Sequence, residues 1–508
     1  MTANRRDFIK FVVAGSIAAG CPLDVALLAE QAGSHPAVDG EENRICHQVR
    51  DGKTFSRPPV SAHHDVVIVG GGVSGLTAAY LLRHRDFLLL EKEPHWGGNA
   101  YLMEFQGSAY GTGSAFLDKS EPSFAFAQDI GLKPLIVDSW DGTIIQGEFL
   151  PDTWGEGLDR SPYPVSVRDA FKKFKREILA IDVPRRSHEL FAVPFSNFLK
   201  DYPNEIKQWW DTYGPSNWGA TTEETAAAIG IFELQYISGE KRKDDRYTWP
   251  GGLGAITKKI AEIIEPHFSE HMQLGATTVA VVPDKQNVLV TYMQGAELKT
   301  VAGKAVIMAT PKFITRRIVE GLPAKQSAAM QQIHYIPYAV VNLIFDRPVF
   351  NKGYDTWCPG NRFTDFIAAD WVIRNQPGYK QKYNVLTCYT PLRQEERGLL
   401  LTEAGARGVA GDVLRDFQKL FPGANVDPIE VHIYRRGHPL YMSMPGLYTQ
   451  VQPVARAPME RVFLANTDSE GPVSSTGSGI TAARRAVKEA ESRIAGKPLP
   501  NKTVALRG

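Results

Sequence analysis

The stretch DVVIVGGGVSGLTAAYLL, residues 65 to 82, limits more than any other what this chain can fold into. A short apolar run meets a glycine turn and then a helix-patterned segment, and FLLLE follows as a second buried strand ending in an acid. Strand, turn, helix and strand in that order open a doubly wound parallel sheet. Within the turn, Gly70 permits the tight bend, Gly72 lets a pyrophosphate approach the backbone, and Gly75 lets helix and strand pack closely. The phosphate charge is expected at the start of the helix, beside Val73 and Ser74, where free N–H groups and the helix dipole favour an anion. Glu91, sixteen residues beyond Gly75, ends the second strand, where its carboxylate can accept ribose hydroxyls, and Lys92 follows it. An acid at that place argues against a 2′-phosphate.

In LLLEKEPHWGGNAYL, Glu91 is followed by the pair Gly97–Gly98. This resembles the second fingerprint of the FAD-dependent amine oxidase and desaturase superfamily, which includes protoporphyrinogen oxidases and phytoene desaturases. Arginines usually flank those glycines; here His95 and Asn99 stand instead, and Asn99 can hydrogen-bond a phosphate or ribityl oxygen without bringing charge. The resemblance implies FAD as cofactor and an α/β chain. It would pair a Rossmann-type FAD-binding domain with an α+β substrate domain, both discontinuous in sequence. It further implies that SAYGTGSAF runs along the flavin, with Gly111, Gly113 and Ser114 allowing close approach. In ATTVAVV the Val279 backbone would hold the adenine, and in STGSGITAARRAV the helix start at Gly479–Ile480 would face the pyrimidine end. FLANTD departs from the family pattern, with Asn466 and Thr467 offering polar contacts to the ribityl chain.

The chain's 508 residues, 43% of them apolar, suffice for two domains, and a net charge of +1 gives no electrostatic footprint for nucleic acid. The expected order is a signal segment at 1–30, a linker at 31–62, FAD-binding parts at 63–150, 246–322 and 456–496, substrate parts at 151–245 and 323–455, and a tail at 497–508. NRRDFIKFVVAGSIAAGC pairs Arg5–Arg6 with an apolar stretch too short to span a bilayer comfortably. It resembles a twin-arginine signal, which implies the twin-arginine export machinery as a partner and a periplasmic or exported protein. AAGC is a loose lipobox that would allow a lipid anchor at Cys21. Cys46, Cys358 and Cys388 allow one disulfide and one free thiol. His63–His64 reads as solvated linker and Cys46–His47 as a bland surface pair, so no metal site is expected.

The expected reaction is hydride removal from an amine-type C–H donor, a small molecule, with dioxygen, a quinone or a redox protein as the acceptor. Aromatic walls are sought in IYRRGHPLYMSMPGLY, at Tyr434, His438 and Tyr441, while Arg435–Arg436 reads as an exposed pair. Many family amine oxidases carry a lysine in the strand corresponding to YAVVNLIFDRPVF; here Asn342 is its only polar residue before Asp346. GHPLYMSMPG resembles the desaturase and protoporphyrinogen oxidase branches instead. An extended apolar substrate is therefore the alternative, and an FAD-binding protein without turnover a third reading.

Overall fold

The computed structural model describes residues 36–238, 246–374, 376–380 and 382–500. The stretch read as a signal segment, Cys21 and residues 501–508 lie outside them.

The run that opens the chain's glycine motif becomes strand Val60–Val69, at the heart of a seven-stranded sheet. Its parallel neighbours are Phe87–Leu90 and Glu297–Met308, and Glu297–Met308 also pairs in parallel with Val462–Leu464. Val66, Val67 and Ile68 are fully buried, as a parallel strand covered on both faces requires. Helices Val73–Leu81, Gly254–Phe268 and Thr476–Ile494 contribute to the core packed on one face. A hairpin, Ala276–Pro283 and Val288–Gln294, extends the sheet on the other side of Glu297–Met308. The chain is thus α/β, with the doubly wound unit that the glycine motif predicts.

A second sheet of eight strands is built mainly from Tyr335–Phe345, Asn384–Pro391 and Glu430–Tyr441. Its other strands come from the 142–151, 355–368 and 37–40 regions. Helices Val165–Leu179, Asn204–Trp218 and Ala227–Ile237 cap it around a core holding Trp154, Trp209, Trp210 and Trp218.

The stretch read as a linker is largely structured from residue 36 onward. Ala37–Gly40 pairs in parallel with Glu430–Tyr441, Arg44–Arg50 is a helix, and Val60 already begins the central strand. Nor is His64 solvated linker. Parallel pairing of its strand with Phe87–Leu90 brings Asp86 to 3.0 Å from His64 Nδ1, and His271 Nδ1 lies 3.4 Å from the same oxygen. Three segments remote in sequence meet there, which spacing around His63–His64 could not show. Cys46, Cys358 and Cys388 are all free thiols, Cys358 and Cys388 being buried.

Candidate functional site

A cavity of about 1480 Å³ is lined by residues from both sheets and from the helical cap. Its dinucleotide end is set by the glycines. Gly70 has φ +106°, and a Cβ on Gly75 would lie 1.7 Å from the Gly70 oxygen, so helix and turn touch there. The side of Gly72 is open, with nothing nearer than Gly98 Cα at 3.8 Å. Helix Val73–Leu81 starts without a side-chain cap, and Val73 and Ser74 line the cavity. Its first N–H donors are therefore left for an anionic ligand.

Glu91 is buried, and its carboxylate accepts from the Gly71 and Glu93 amides. Burial pushes its pKa up. With the carboxylate fixed in this way, its remaining lone pairs can accept ribose hydroxyls. Lys92 turns to the Glu93 carboxylate and to the Glu42 carbonyl at 3.1 Å. Gly97 and Gly98 have φ +121° and +56°, and the Gly97 amide donates to the Gly71 carbonyl at 3.0 Å, which locks the second fingerprint to the first.

The two replaced arginines are accounted for unequally. His95 stacks on Tyr101 with centroids 3.6 Å apart, and burial lowers its pKa, disfavouring the charged form. Asn99 donates one amide hydrogen to the Pro439 carbonyl at 2.7 Å, leaving its second N–H and its own carbonyl for a ligand. The cation arrives from the second sheet. Arg436, expected on the surface, is buried and donates to the Thr112 carbonyl, to Thr112 Oγ1 at 2.8 Å and to the Gly98 carbonyl at 3.2 Å. Strand alternation turns Arg436 inward while Arg435 donates to the Leu400 carbonyl.

Four further expected residues lie off the cavity wall. Val279 lies one residue past the cavity wall, which Ala276, Thr277 and Thr278 form; the ladder bulges between Thr278 and Ala280, displacing the register by one. The last helix presents Thr476–Ser478 and Thr481, not Gly479 or Ile480, because it starts a turn earlier, at Thr476 behind the Ser475 capping box. Gly479 instead packs against Val73 and Ser74, and Ile480 is core. Asn342 does not line the cavity: its Oδ1 accepts from Thr387 Oγ1 at 2.7 Å inside the sheet. Gly113, Ser114, Asn466 and Thr467 do line it, as do Tyr434, His438 and Tyr441. Tyr441 donates to the Gly471 carbonyl, Tyr434 lies 3.3 Å from His95 Nε2, and His438 packs on Phe313 with burial lowering its pKa to about 4.

Beyond Gly113 the cavity becomes aromatic and acidic. Tyr389 donates to the Gly113 carbonyl at 2.7 Å and stands edge-on to Tyr338. Ser216 Oγ lies 2.9 Å from both Tyr338 Oη and Asp365 Oδ1, and Tyr213 and Trp357 complete the wall. Burial raises the Asp365 carboxyl to about 7. Sequence reasoning missed this group; the signal was an acid inside TDFIAA, whose neighbours Phe366, Ile367 and Ala368 are all core. At the last helix, the half-buried Glu121 carboxylate meets the Gly477 amide, and desolvation with Asp118 raises it to about 7. Among the described residues the lysine on the cavity wall is Lys92, at the dinucleotide end; strand Tyr335–Phe345 offers none.

The open Gly72, the uncapped helix start and the orphaned hydroxyl of Thr278 fit a bound FAD at this end. Among curated proteins, oxidoreductase PigB of Serratia sp. is 23% identical over 81% of this chain and 73% of its own length. L-amino acid dehydrogenase of Synechocystis sp. is 22% identical over 83% and 94%. Protoporphyrinogen oxidase 1 of Spinacia oleracea is 22% identical over 56% of each chain. Cyclohexylamine oxidase from Brevibacterium oxydans IH-35A shares the fold with TM-score 0.65 at 18% identity, covering 85% of this chain and 99% of that one. Putrescine oxidase bound to putrescine gives 0.61 at 15% identity over 86% and 99%. Residues 73–490 match the flavin containing amine oxidoreductase family. The chain belongs to that family and is an FAD-dependent oxidoreductase.

Proposed function

We propose that the protein removes a hydride from an amine-type C–H donor seated between Gly113 and the Tyr338–Ser216–Asp365 group. When bound, FAD supplies the two-electron acceptor. The observation that carries this reading is the aromatic, acidic chamber that continues the dinucleotide groove. Tyr389, fixed through its hydroxyl to the Gly113 carbonyl, and Tyr338 wall the donor, while Trp357 and Tyr213 exclude water. An amine yields hydride only as the free base, so a proton has to leave first. The Asp365 carboxyl, held near 7 by burial, takes that proton once the pH exceeds its pKa, with Ser216 and Thr364 donating to it. Fold relatives named for putrescine and cyclohexylamine support the amine class.

A second reading rests on the rim. Val183, Phe191, Phe232 and Tyr448 give the chamber an apolar approach, which suits a longer, apolar donor of the kind protoporphyrinogen oxidase relatives are named for. Anaerobic addition of donors to the yellow protein separates the two. Bleaching by small amines supports the first reading; no bleaching across an amine panel, with bleaching by an extended apolar donor, sinks it in favour of the second.

Export by the twin-arginine route is part of the proposal, on the strength of Arg5–Arg6 and the short apolar run after them. Replacing both arginines by lysine should retain the flavoprotein in the cytoplasm on cell fractionation. Whether dioxygen, a quinone or a redox protein reoxidises the enzyme is read by oxygen uptake against dye reduction.

A further inference from the structure

Ahead of the glycine motif, Glu41, Asn43, Arg44, Cys46, His47 and Arg50 also line the cavity wall. We propose that Ala37–Arg50 is part of the FAD site, a strap that closes the adenosine end of the cavity and sets how slowly FAD leaves.

The strap is fastened to both sheets. Ala37–Gly40 pairs in parallel with the His432–Arg435 part of the second sheet, and the Glu41 amide continues the ladder to the Arg435 carbonyl. Glu41 Oε2 accepts from the Gly437 amide at 3.1 Å. On the other side, the Glu42 amide donates to the Glu93 carboxylate at 3.1 Å, and Lys92 Nζ donates to the Glu42 carbonyl at 3.1 Å. Burial works against the Glu41 charge, but Lys92, the Gly437 amide and Arg436 outweigh it and hold its pKa low. The same acids keep Lys92 charged against its burial. Val49, on the short helix, packs into the apolar core of the dinucleotide sheet.

The position follows from those anchors. Glu93 and Lys92 directly follow Glu91, the ribose-side acid, and the Cys46 thiol feels the charges of Lys92, Glu41, Glu93 and Glu91 together. The strap therefore lies over the wall formed by Glu91 and Ala276–Thr278. It also brings Arg44 to that wall, a cation in no ion pair among the described residues, in a chain whose fingerprint arginines are replaced by His95 and Asn99. A ligand lying between Gly72 and Thr278 cannot leave outward without lifting the strap from one sheet.

Gly40 gives the test. It has φ +155°, and a Cβ there would lie 2.4 Å from the Arg435 oxygen, so Gly40→Ala unseats the strap. Gly52→Ala, at φ +89° with nothing within 4 Å, adds comparable backbone strain beyond the strap. In the full-length holoprotein, FAD released into filtrate over time is expected to rise about tenfold or more in Gly40→Ala and to match wild type in Gly52→Ala. Glu41→Gln, which weakens the Gly437 and Lys92 contacts without a clash, should shift release in the same direction and serves if Gly40→Ala fails to fold. The inference is overturned if release stays at the wild-type rate in these variants while hydrogen exchange shows the Ala37–Gly40 amides unprotected. Because the readout is FAD release, its failure leaves the amine reading untouched, and failure of the amine panel leaves the strap untouched.

Discussion

Lys312 Nζ donates to Asp468 Oδ1 in a place where neither side chain is more than 1% exposed. Asp468 also accepts from the Lys312 amide at 2.8 Å and from Tyr335 Oη at 2.6 Å, and Ser469 Oγ takes a second bond from Nζ at 2.6 Å. The pair staples the start of helix Lys312–Ile318 to the turn that carries Asn466 and Thr467 into the cavity. Lys312→Met strands a buried carboxylate and is expected to cost about 3–5 kcal/mol. Lys312→Met with Asp468→Leu should recover part of that, read by urea unfolding of the holoprotein.

Gly113 separates close approach from ordinary loop freedom. A Cβ there would stand 2.0 Å from the Asn99 oxygen, so Gly113→Ala pushes the flavin-side loop off the second fingerprint. Expected is a strain of about 1–3 kcal/mol and a matching loss of FAD, seen as a fall in the visible-to-ultraviolet absorbance ratio. Gly107→Ala, at φ +89° with nothing within 4 Å, adds backbone strain without a clash and should keep its flavin.

Arg436 holds the Gly98 and Thr112 carbonyls with one planar fork. Arg436→Lys is expected to weaken FAD retention nearly as much as Arg436→Gln, because an ammonium on a flexible stem does not reproduce that geometry. Equilibrium dialysis of FAD against the three proteins checks it; full rescue by lysine would mean that charge alone matters.

Asp365 gives stability a pH signature. Burial raises its pKa from 3.8 to about 7, so the folded state holds this proton more tightly than the unfolded chain does. Its contribution is complete below about pH 4 and is lost as pH rises through about 7. Asp365→Asn cannot titrate, so the melting temperature of wild type minus variant should fall across that interval. His438 runs the other way: burial lowers its pKa to about 4, so keeping it neutral costs stability as pH falls below the ordinary imidazole range. A difference curve that is flat for Asp365→Asn would show that Asp365 does not take up a proton there.

What could be read from the sequence was whatever depends on local backbone demands. Gly70, Gly72, Gly75, Glu91, Gly97 and Gly98 fall where their spacing says, because sterics and a helix start are decided within a few residues. Residues whose place depends on strand register or helix start lie one or a few positions from the cavity wall, as Val279 and Gly479–Ile480 do, since a bulge or an early cap shifts the count. Groups assembled across the two sheets were invisible: nothing near residue 99 says that Arg436 supplies the missing cation, and nothing near residue 40 says that a strand forms there.

The site is also finished late in synthesis. Strand Val462–Leu464 seats beside Glu297–Met308, and the Ser475–Ser478 turn closes the cavity that Gly70 and Gly72 began some four hundred residues earlier. No ribosome-bound fragment lacking those last residues has a complete cofactor pocket. A chain cut before Val462 is therefore expected to retain little flavin even where its glycine motif is folded.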